Sequence, residues 1–237
     1  MAPTITERVD ALPWDELHDA LDAQGFARSG RALLGARECR DLAALYERAD
    51  FRSTIDMARY RFGEGQYRYF ARPLPDAVDE LRRALYPQLA RAANRWAELL
   101  GEEASYPDDL GEFLARCAAA GQTRPTPLIL RYGAGGHNTL HQDLYGDVAF
   151  PFQALLVLSE QGTDYEGGES VLLEQRPRAQ SRAHVTVLQR GELLLFTTRH
   201  WPAAGRRGYY RATMRHGVAT ITSGERYGLG IIFHDAA

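Results

Sequence analysis

Lysine is absent from this 237-residue chain, so all 28 of its basic residues are arginines. The absence excludes every site that depends on a lysine amine, such as a Schiff base or the lysine of a phosphate-binding loop. Cysteine is scarce: only Cys39 and Cys117 occur, and neither has a second cysteine at the spacing of a zinc site. Lysine-based catalysis and thiolate-bound zinc are therefore excluded.

Long apolar stretches are also missing. No segment approaches the roughly 18 consecutive apolar residues of a membrane-spanning helix. Residues 1–16 lack the basic start and apolar run of a secretory signal. With 45% hydrophobic residues, 25% charged residues and a net charge of -3, the composition is typical of a water-soluble globular protein. We therefore expect no membrane partner and a cytoplasmic location.

Helical periodicity dominates the first half of the chain. It predicts four helices, over residues 14–23, 37–46, 76–100 and 109–119. Pro87 lies inside the third of these helices and is expected to kink or split it. Between the second and third helices, residues 53–73 predict strands around the glycines at positions 63 and 65.

Short apolar or alternating segments, separated by turn-forming residues, dominate the second half. The predicted strands are residues 127–132, 152–158, 170–175, 184–188, 193–198, 212–221 and 227–233. Strands at this spacing favour a sandwich or a jelly roll. The predicted fold class is therefore α+β, a single domain over residues 1–237. Its mainly helical residues 1–125 buttress a β core of residues 126–237.

Candidate metal ligands follow the first of these strands. His141 and Asp143 are two residues apart, and side chains at that spacing on an extended segment point to the same side. The histidines available as a third ligand are His184, His200, His216 and His234. We favour His216, because it lies within a predicted strand and Arg226 follows ten residues later. Two histidines and one carboxylate leave open positions on Fe(II) for a bidentate cosubstrate and O2.

Arg226 is the candidate anchor for the cosubstrate 2-oxoglutarate. This diacid chelates iron through its keto acid end, and its far carboxylate needs a cation, which an arginine fork supplies. We predict a hairpin between strands 212–221 and 227–233. A three-residue loop ending at Gly224 would place His216 and Arg226 on one face of that hairpin. A glycine tolerates the left-handed conformation required at this loop position.

The run from Tyr132 to Asp143 resembles the metal-binding strand of Fe(II)/2-oxoglutarate oxygenases. It is similar to that strand in both the AlkB-type nucleic-acid demethylases and the prolyl hydroxylases. Residues 167–172 and 190–196 resemble the strands between the ligands in those families, and residues 215–229 resemble the segment with the distal histidine and its arginine. The resemblance is closest to a bacterial family described as oxygenases acting on damaged nucleic acid.

The resemblance covers roughly residues 127–235 and implies a double-stranded β-helix (jelly-roll, cupin-like) core. It also implies that Tyr132 contacts the 2-oxoglutarate carboxylate, and that succinate and carbon dioxide form as a substrate C–H bond is oxidised. Leu130 and Ile232 stand where AlkB-type enzymes have an asparagine and a second arginine. A hydroxylase of a peptide or small molecule is therefore the alternative, and a non-catalytic jelly-roll binding protein is the third hypothesis.

Two segments that interleave arginines with aromatic residues, 59–72 and 199–211, are candidates for substrate contact. Such residues can stack on bases and pair with phosphates. Alternatively, the aromatic rings pack in the core while the arginines are solvated. The individual candidates are Arg59, Arg61, Tyr67, Tyr69, His137 and Arg211. If these residues contact substrate, they favour a nucleic-acid partner and oxidative demethylation of alkylated bases.

Overall fold

Helices occupy much of the N-terminal half in the computed structural model, which describes residues 3–237. Their bounds are α1 (Ile5–Asp10), α2 (Trp14–Gln24), α3 (Ala36–Arg48), α4 (Met57–Tyr60), α5 (Asp76–Leu99) and α6 (Leu110–Ala119). The four predicted helices are confirmed as α2, α3, α5 and α6, whereas the short α1 and α4 are not predicted. Between residues 3 and 237, no helix has the length and apolar character needed to cross a membrane.

Two helix features depend on single residues. Helix α2 ends at Gly25, whose φ of 79° is left-handed, and a Cβ there would lie 2.8 Å from the Trp201 ring. Helix α5 is continuous through Pro87, so the predicted split is wrong. Buried Leu85 and Leu89 on either side of the proline keep both halves packed against the core, which outweighs the lost backbone hydrogen bond.

The strands of the described chain form two main sheets. Their bounds are β1 (Phe26–Ala32), β2 (Phe51–Asp56), β3 (Gly63–Glu64), β4 (Gln66–Phe70), β5 (Leu128–Tyr132), β6 (His137–His141), β7 (Phe152–Val157), β8 (Tyr165–Gly167), β9 (Ser170–Gln175), β10 (Arg182–Thr186), β11 (Glu192–Thr197), β12 (His200–Gly205), β13 (Gly208–Val218), β14 (Ile221–Gly224) and β15 (Arg226–Ile232). A seven-stranded sheet has the order β1-β11-β7-β15-β5-β4-β2. A six-stranded sheet has the order β10-β9-β13-β6-β3, with β12 also paired to β13. This antiparallel jelly roll with flanking helices confirms the predicted fold class.

The N-terminal half also contributes strands to both sheets. Strand β1 pairs with β11 at one edge of the seven-stranded sheet, and β4 and β2 extend the other edge. Strand β3 pairs with β6 in the six-stranded sheet. The strands predicted within residues 53–73 are present as β2, β3 and β4, while β1 escapes prediction because its residues lack regular alternation.

The hairpin predicted between residues 212–221 and 227–233 is wrong. Strand β13 pairs with β6, β9 and β12, whereas β15 pairs with β5 and β7 in the other sheet. The intervening β14 pairs with β8 instead. The chain therefore crosses from one sheet to the other between the two strands. His216 and Arg226 approach the same interior space from opposite sheets.

Helix α5 is anchored to the end of the chain by a buried arginine. Arg82 is 1% exposed, and it donates hydrogen bonds to the carbonyl oxygens of Ile232 and Phe233. Its Nη2 also lies 2.8 Å from Asp235, whose side chain is 3% exposed. Removing one member of a buried ion pair leaves the other charge unpaired in a medium of low polarity.

The change Arg82→Ala is expected to lower the free energy of unfolding by about 3–5 kcal/mol, because two buried carbonyl oxygens lose their donor and Asp235 keeps only its ion pair with the more exposed Arg72. Arg83 is the matched control, since it is adjacent in sequence but forms an exposed pair with Asp79. Arg83→Ala should cost about 1 kcal/mol or less. Urea denaturation of both variants measures the difference, and equal losses would contradict a structural role for Arg82.

Candidate metal and cosubstrate site

The three favoured metal ligands meet where β6 ends. His141, the last residue of β6, lies opposite His216 on β13, and the centroids of their rings are 4.2 Å apart. Asp143 follows β6; its Oδ2 is 3.2 Å from His216 Nε2, and its Oδ1 is 3.5 Å from His141 Nε2. The ligand atoms of the three residues all lie within 4.8 Å of one another. Local spacing and strand register thus bring the three side chains together.

The hydrogen bonds of His141 leave one ring nitrogen free for a metal. Its Nδ1 lies 2.7 Å from the carbonyl oxygen of Thr139 and carries the proton, since a carbonyl only accepts. Nε2 therefore presents a lone pair to the carboxylate of Asp143, whose two oxygens are also acceptors. Two facing acceptors are stabilised by a cation between them, and two imidazoles with one carboxylate suit Fe(II). The residues present fit an iron ion.

Asp143 remains a carboxylate although it is buried. Burial raises the pKa of this carboxyl group, but His216, His141 and the hydroxyl of Tyr145 together hold the pKa well below its ordinary value. Burial and the neighbouring His216 lower the pKa of His141, so its imidazole is neutral near pH 7. An ionised carboxylate and a neutral imidazole are the forms that bind a metal.

Arg226 and Tyr132 lie opposite each other on β15 and β5. Both are buried, with exposed fractions of 1% and 0%. The guanidinium carbon of Arg226 is 5.8 Å from the centre of the Tyr132 ring, and the Tyr132 hydroxyl accepts a 3.2 Å hydrogen bond from Asn138. Burial raises the pKa of Tyr132 to about 12, so the hydroxyl stays protonated.

The guanidinium of Arg226 lacks the partners that a buried charge normally requires. Its Nη2 is 3.4 Å from the hydroxyl of Ser170, while its Nε and Nη1 have no hydrogen-bond partner within residues 3–237. A buried cation with one weak neutral partner is costly, and a carboxylate in front of it would relieve that cost. The surroundings of Arg226 therefore suit an anion.

A cavity of about 230 Å³ connects the metal ligands with Arg226. One water needs roughly 10–15 Å³, so this space accommodates a small diacid. The walls between the two polar ends are mainly apolar. They include Leu128, Leu130, Ala154, Leu155, Leu172, Leu194, Phe196, Val218 and Ile232. Such a lining excludes water and strengthens electrostatic attraction within the cavity.

The other histidines considered as third ligand lie apart from this group. His184 is 3.4 Å from Glu174, and His200 lines a separate groove beside α5. His234 is buried, and its Nδ1 accepts a hydrogen bond from the backbone of Phe150. In the part of the chain that the structure describes, the triad above is the only cluster of three or more side chains suited to a metal.

Two of the six substrate-contact candidates reach the interior. Tyr67 lines the cavity, and the hydroxyl of Tyr69 donates a 3.2 Å hydrogen bond to Tyr145, which also lines it. His137 lies on β6 outside the lining, with Nδ1 3.2 Å from the carbonyl of Gly135. Arg211 is exposed and borders the groove beside α5, where it forms an ion pair with Glu102.

The arginine candidates Arg59 and Arg61 lie close in sequence to Phe62 but do not line the cavity. Both are exposed, and they flank Tyr60 in and just after α4. Tyr60 is 56% exposed and stacks on Phe62, with the ring centroids 5.5 Å apart and the planes 20° from parallel. Phe62 is itself 44% exposed and also lines the cavity. We call Tyr60 and Phe62 the mouth pair.

Several cavity residues are not found by sequence reasoning. Tyr145 donates a 2.7 Å hydrogen bond to Asp143 Oδ1, and its position two residues after the aspartate is a signal that could have found it. The amide nitrogen of Gln153 is 3.3 Å from His216 Nε2, and a lone polar residue in the apolar strand β7 is a second such signal. Ser170 contacts Arg226 only through tertiary structure, and no local pattern indicates it.

Residues 65–236 match the family Oxygenase-NA, described as "Oxygenase, catalysing oxidative methylation of damaged DNA". Two relatives from Mycobacterium tuberculosis strains, both named as uncharacterized proteins, are each 52% identical to this chain over 168 residues. The aligned part covers 71% of this chain and 72% of each relative.

Solved structures with the same fold include a prolyl-4-hydroxylase from Pseudomonas putida. The two chains are 20% identical with a TM-score of 0.55, over 94% of this chain and 99% of the other. An oxidoreductase of the 2OG-Fe(II) oxygenase family from Burkholderia pseudomallei is 16% identical with a TM-score of 0.54, over 94% and 93% of the two chains. At these identities the likeness establishes the jelly-roll fold.

Proposed function

Because the chain belongs to the Oxygenase-NA family and is therefore an oxidoreductase, we propose that it is an Fe(II)- and 2-oxoglutarate-dependent dioxygenase that oxidises a C–H bond. One observation carries the proposal: a single cavity holds a His-Asp-His group at one end and a buried, unpaired arginine at the other. These are the two attachment points that an iron-chelating diacid requires.

The metal end of the cavity supplies three ligands. His141, Asp143 and His216 would hold Fe(II), leaving open positions for the cosubstrate and O2. The chemistry that the iron supplies when bound is the coupled oxidation, by O2, of 2-oxoglutarate to succinate and carbon dioxide and of a substrate C–H bond. The chain's own contribution is to orient these ligands and to keep the apolar cavity dry.

The anion end of the cavity binds the far carboxylate of the cosubstrate. Arg226 donates from its unpaired Nε and Nη1, and the protonated hydroxyl of Tyr132 lies beside it. A cation and a neutral donor together fix one end of 2-oxoglutarate, so that the keto acid end reaches the metal ligands.

We further propose that residues 1–237 act as one oxygenase domain. Strands β1, β3 and β4 come from the N-terminal half yet pair with strands of the C-terminal half in both sheets. Removing residues 1–125 would expose three sheet edges, at β11, β5 and β6, and uncover the apolar faces packed on α5. The N-terminal half is therefore part of the catalytic unit in this proposal.

For the substrate we propose an alkylated nucleic-acid base. The family description names damaged DNA, and the exposed mouth pair with Arg59 and Arg61 offers what a base and its phosphates bind. Oxidation of an N-methyl carbon gives a hydroxymethyl group that leaves as formaldehyde. The apolar Leu130 and Ile232 in the cavity wall favour the alternative, a hydroxylase acting on a peptide or small molecule.

Turnover tests this proposal directly. Wild-type protein supplied with Fe(II), 2-oxoglutarate and O2 should form succinate, and a methylated single-stranded oligonucleotide should increase the rate and release formaldehyde. The same oligonucleotide without the methyl group is the control substrate, and Asp143→Ala is the control protein. Succinate without formaldehyde would support the dioxygenase but not the base substrate. No succinate from folded, iron-loaded protein would favour a non-catalytic binding protein.

Truncation of the mouth pair, in the double variant Tyr60→Ala/Phe62→Ala, should weaken binding of single-stranded DNA. Stacking contributes about 1–3 kcal/mol per base, which corresponds to about 5- to 150-fold in affinity. Tyr209→Ala is the matched control, because Tyr209 is 48% exposed but does not line the cavity. Fluorescence anisotropy over a range of salt concentrations measures both effects.

Binding to the wild type should weaken steeply with salt, since phosphate contacts release counterions. The double variant should keep that salt dependence, because Arg59 and Arg61 are unchanged. Equal affinities for the wild type, the double variant and Tyr209→Ala would contradict a stacking role and would direct the substrate search to peptides and small molecules.

A further inference from the structure

A tyrosine hydroxyl engages the carboxylate of the metal group. Tyr145 lies two residues after Asp143, and its hydroxyl donates a 2.7 Å hydrogen bond to Asp143 Oδ1. The other carboxylate oxygen, Oδ2, lies 3.2 Å from His216 Nε2. The two oxygens of one carboxylate therefore have different partners, and Oδ2 is the one that Tyr145 leaves open.

A second tyrosine, Tyr69, is hydrogen-bonded to Tyr145. The hydroxyl of Tyr69 donates a 3.2 Å hydrogen bond to the hydroxyl of Tyr145, whose own proton is thereby directed to Asp143. Tyr69 is 7% exposed, and the guanidinium of Arg52 lies 4.1 Å from the centre of its ring. The chain of contacts thus runs from β2 and β4, in the N-terminal half, to the metal group.

The backbone around Tyr145 is fixed although it belongs to no helix or strand. The buried Gln122 amide donates to the carbonyl oxygens of Tyr145 and Val148 at 3.0 and 2.8 Å. Its Oε1 accepts a 2.8 Å hydrogen bond from the Val148 amide. Gly146, with a φ of 88°, closely approaches the Gln122 side chain. The loop therefore holds the Tyr145 hydroxyl in one place before any ligand binds.

We propose that Tyr145, supported by Tyr69, is a positioning residue that makes Asp143 a one-oxygen ligand of the metal; the proposal rests on the function above. An octahedral metal held by three single-atom ligands has three positions left, which a bidentate cosubstrate and O2 fill. A carboxylate bound through both oxygens would occupy one of those positions. A hydrogen bond to Oδ1 disfavours that second contact.

A titration of the apo-protein with Co(II) tests this role without turnover. The visible absorption of the bound Co(II) is the readout. Tyr145→Phe should weaken Co(II) binding about 10- to 100-fold, the usual effect of removing a hydrogen bond to a metal ligand. It should also change the shape of the visible spectrum, because the coordination of the metal changes. Tyr69→Phe should act in the same direction but more weakly, since it acts through Tyr145.

Tyr106→Phe is the matched control. The Tyr106 hydroxyl is also partly buried but donates to the carbonyl oxygen of Ala149, away from the metal group. This variant should bind Co(II) as the wild type does and give the same spectrum. Circular dichroism of each apo-protein checks that a change in metal binding is not a change in folding.

The outcomes separate the two proposals. If the wild type does not bind Co(II), or binds it no more tightly than the His216→Ala variant does, the proposed function is contradicted. A wild type that binds Co(II) in a His216-dependent way, with Tyr145→Phe equal to it in affinity and spectrum, overturns the positioning role. Should Tyr145→Phe fail to fold, Tyr69→Phe decides: an unchanged affinity and spectrum in that variant also overturn the role.

Discussion

Loss of His216 is expected to abolish the visible metal-to-ligand charge-transfer band that forms when Fe(II) and 2-oxoglutarate are added to the apo-protein without oxygen. The band requires the cosubstrate to chelate a metal that the protein holds. His216→Ala removes one of three ligands, so we expect iron to bind more than about 100-fold more weakly, beyond the effect of losing a supporting residue. Anaerobic titration monitored by absorption measures the effect.

His200→Ala is the control for this experiment. His200 is a further histidine of the same half of the chain, but it lines the groove beside α5 rather than the cavity. Its loss should leave the band intact. A band that survives in His216→Ala and disappears in His200→Ala would reverse the ligand assignment. No band in the folded wild type would mean either that the three ligands do not hold iron or that the cosubstrate is not 2-oxoglutarate.

Replacement of Arg226 by alanine is expected to raise the 2-oxoglutarate concentration needed for half of the same band by at least about 30-fold. Removing one partner of a buried, hydrogen-bonded charge pair typically costs about 2–5 kcal/mol of binding energy. Fe(II) binding itself should be unchanged, because Arg226 contacts Ser170 and Tyr132 rather than the metal ligands. The titration therefore separates cosubstrate binding from metal binding.

Stability distinguishes a binding role of Arg226 from a structural one. Among residues 3–237, no group pairs with its buried Nε and Nη1, so Arg226→Ala removes a poorly paired charge and should leave the free energy of unfolding of the cosubstrate-free protein unchanged or raised. Arg131→Ala is the control, because Arg131 lies on β5 but forms exposed ion pairs with Glu225 and Glu47. It should bind 2-oxoglutarate normally. A destabilised Arg226→Ala protein with normal cosubstrate affinity would contradict the assignment.

The hairpin argument that linked His216 to Arg226 in the sequence is wrong, although the two residues lie in one cavity. His216 and Arg226 do line one cavity, but the hairpin that was expected to align them does not exist. Strand β14 diverts the chain into a pairing with β8, so the two residues come from facing sheets. The register argument depended on which strands pair, and a local sequence pattern carries no information about long-range pairing.

The helix around Pro87 also depends on long-range packing that a local sequence pattern does not show. Local propensity predicts a kink or a split at Pro87, yet apolar residues on both sides of the proline pack into the core and keep the helix continuous. Packing energy that comes from distant parts of the chain exceeds a local preference of a few kcal/mol. The sequence alone cannot weigh the two, because it does not specify the packing partners.

What the sequence determined by itself is the chemistry available and its local spacing. The absence of lysine, the i, i+2 pair of His141 and Asp143, and the alternating strands depend only on residue type and on the two-residue period of a strand. Tertiary structure alone decided the rest. It buries Arg226 without an ion-pair partner among residues 3–237, and it brings Tyr69 into contact with Tyr145 across 76 residues of chain. Burial and long-range hydrogen bonds arise from the packing of two sheets, and that packing is a property of the whole chain.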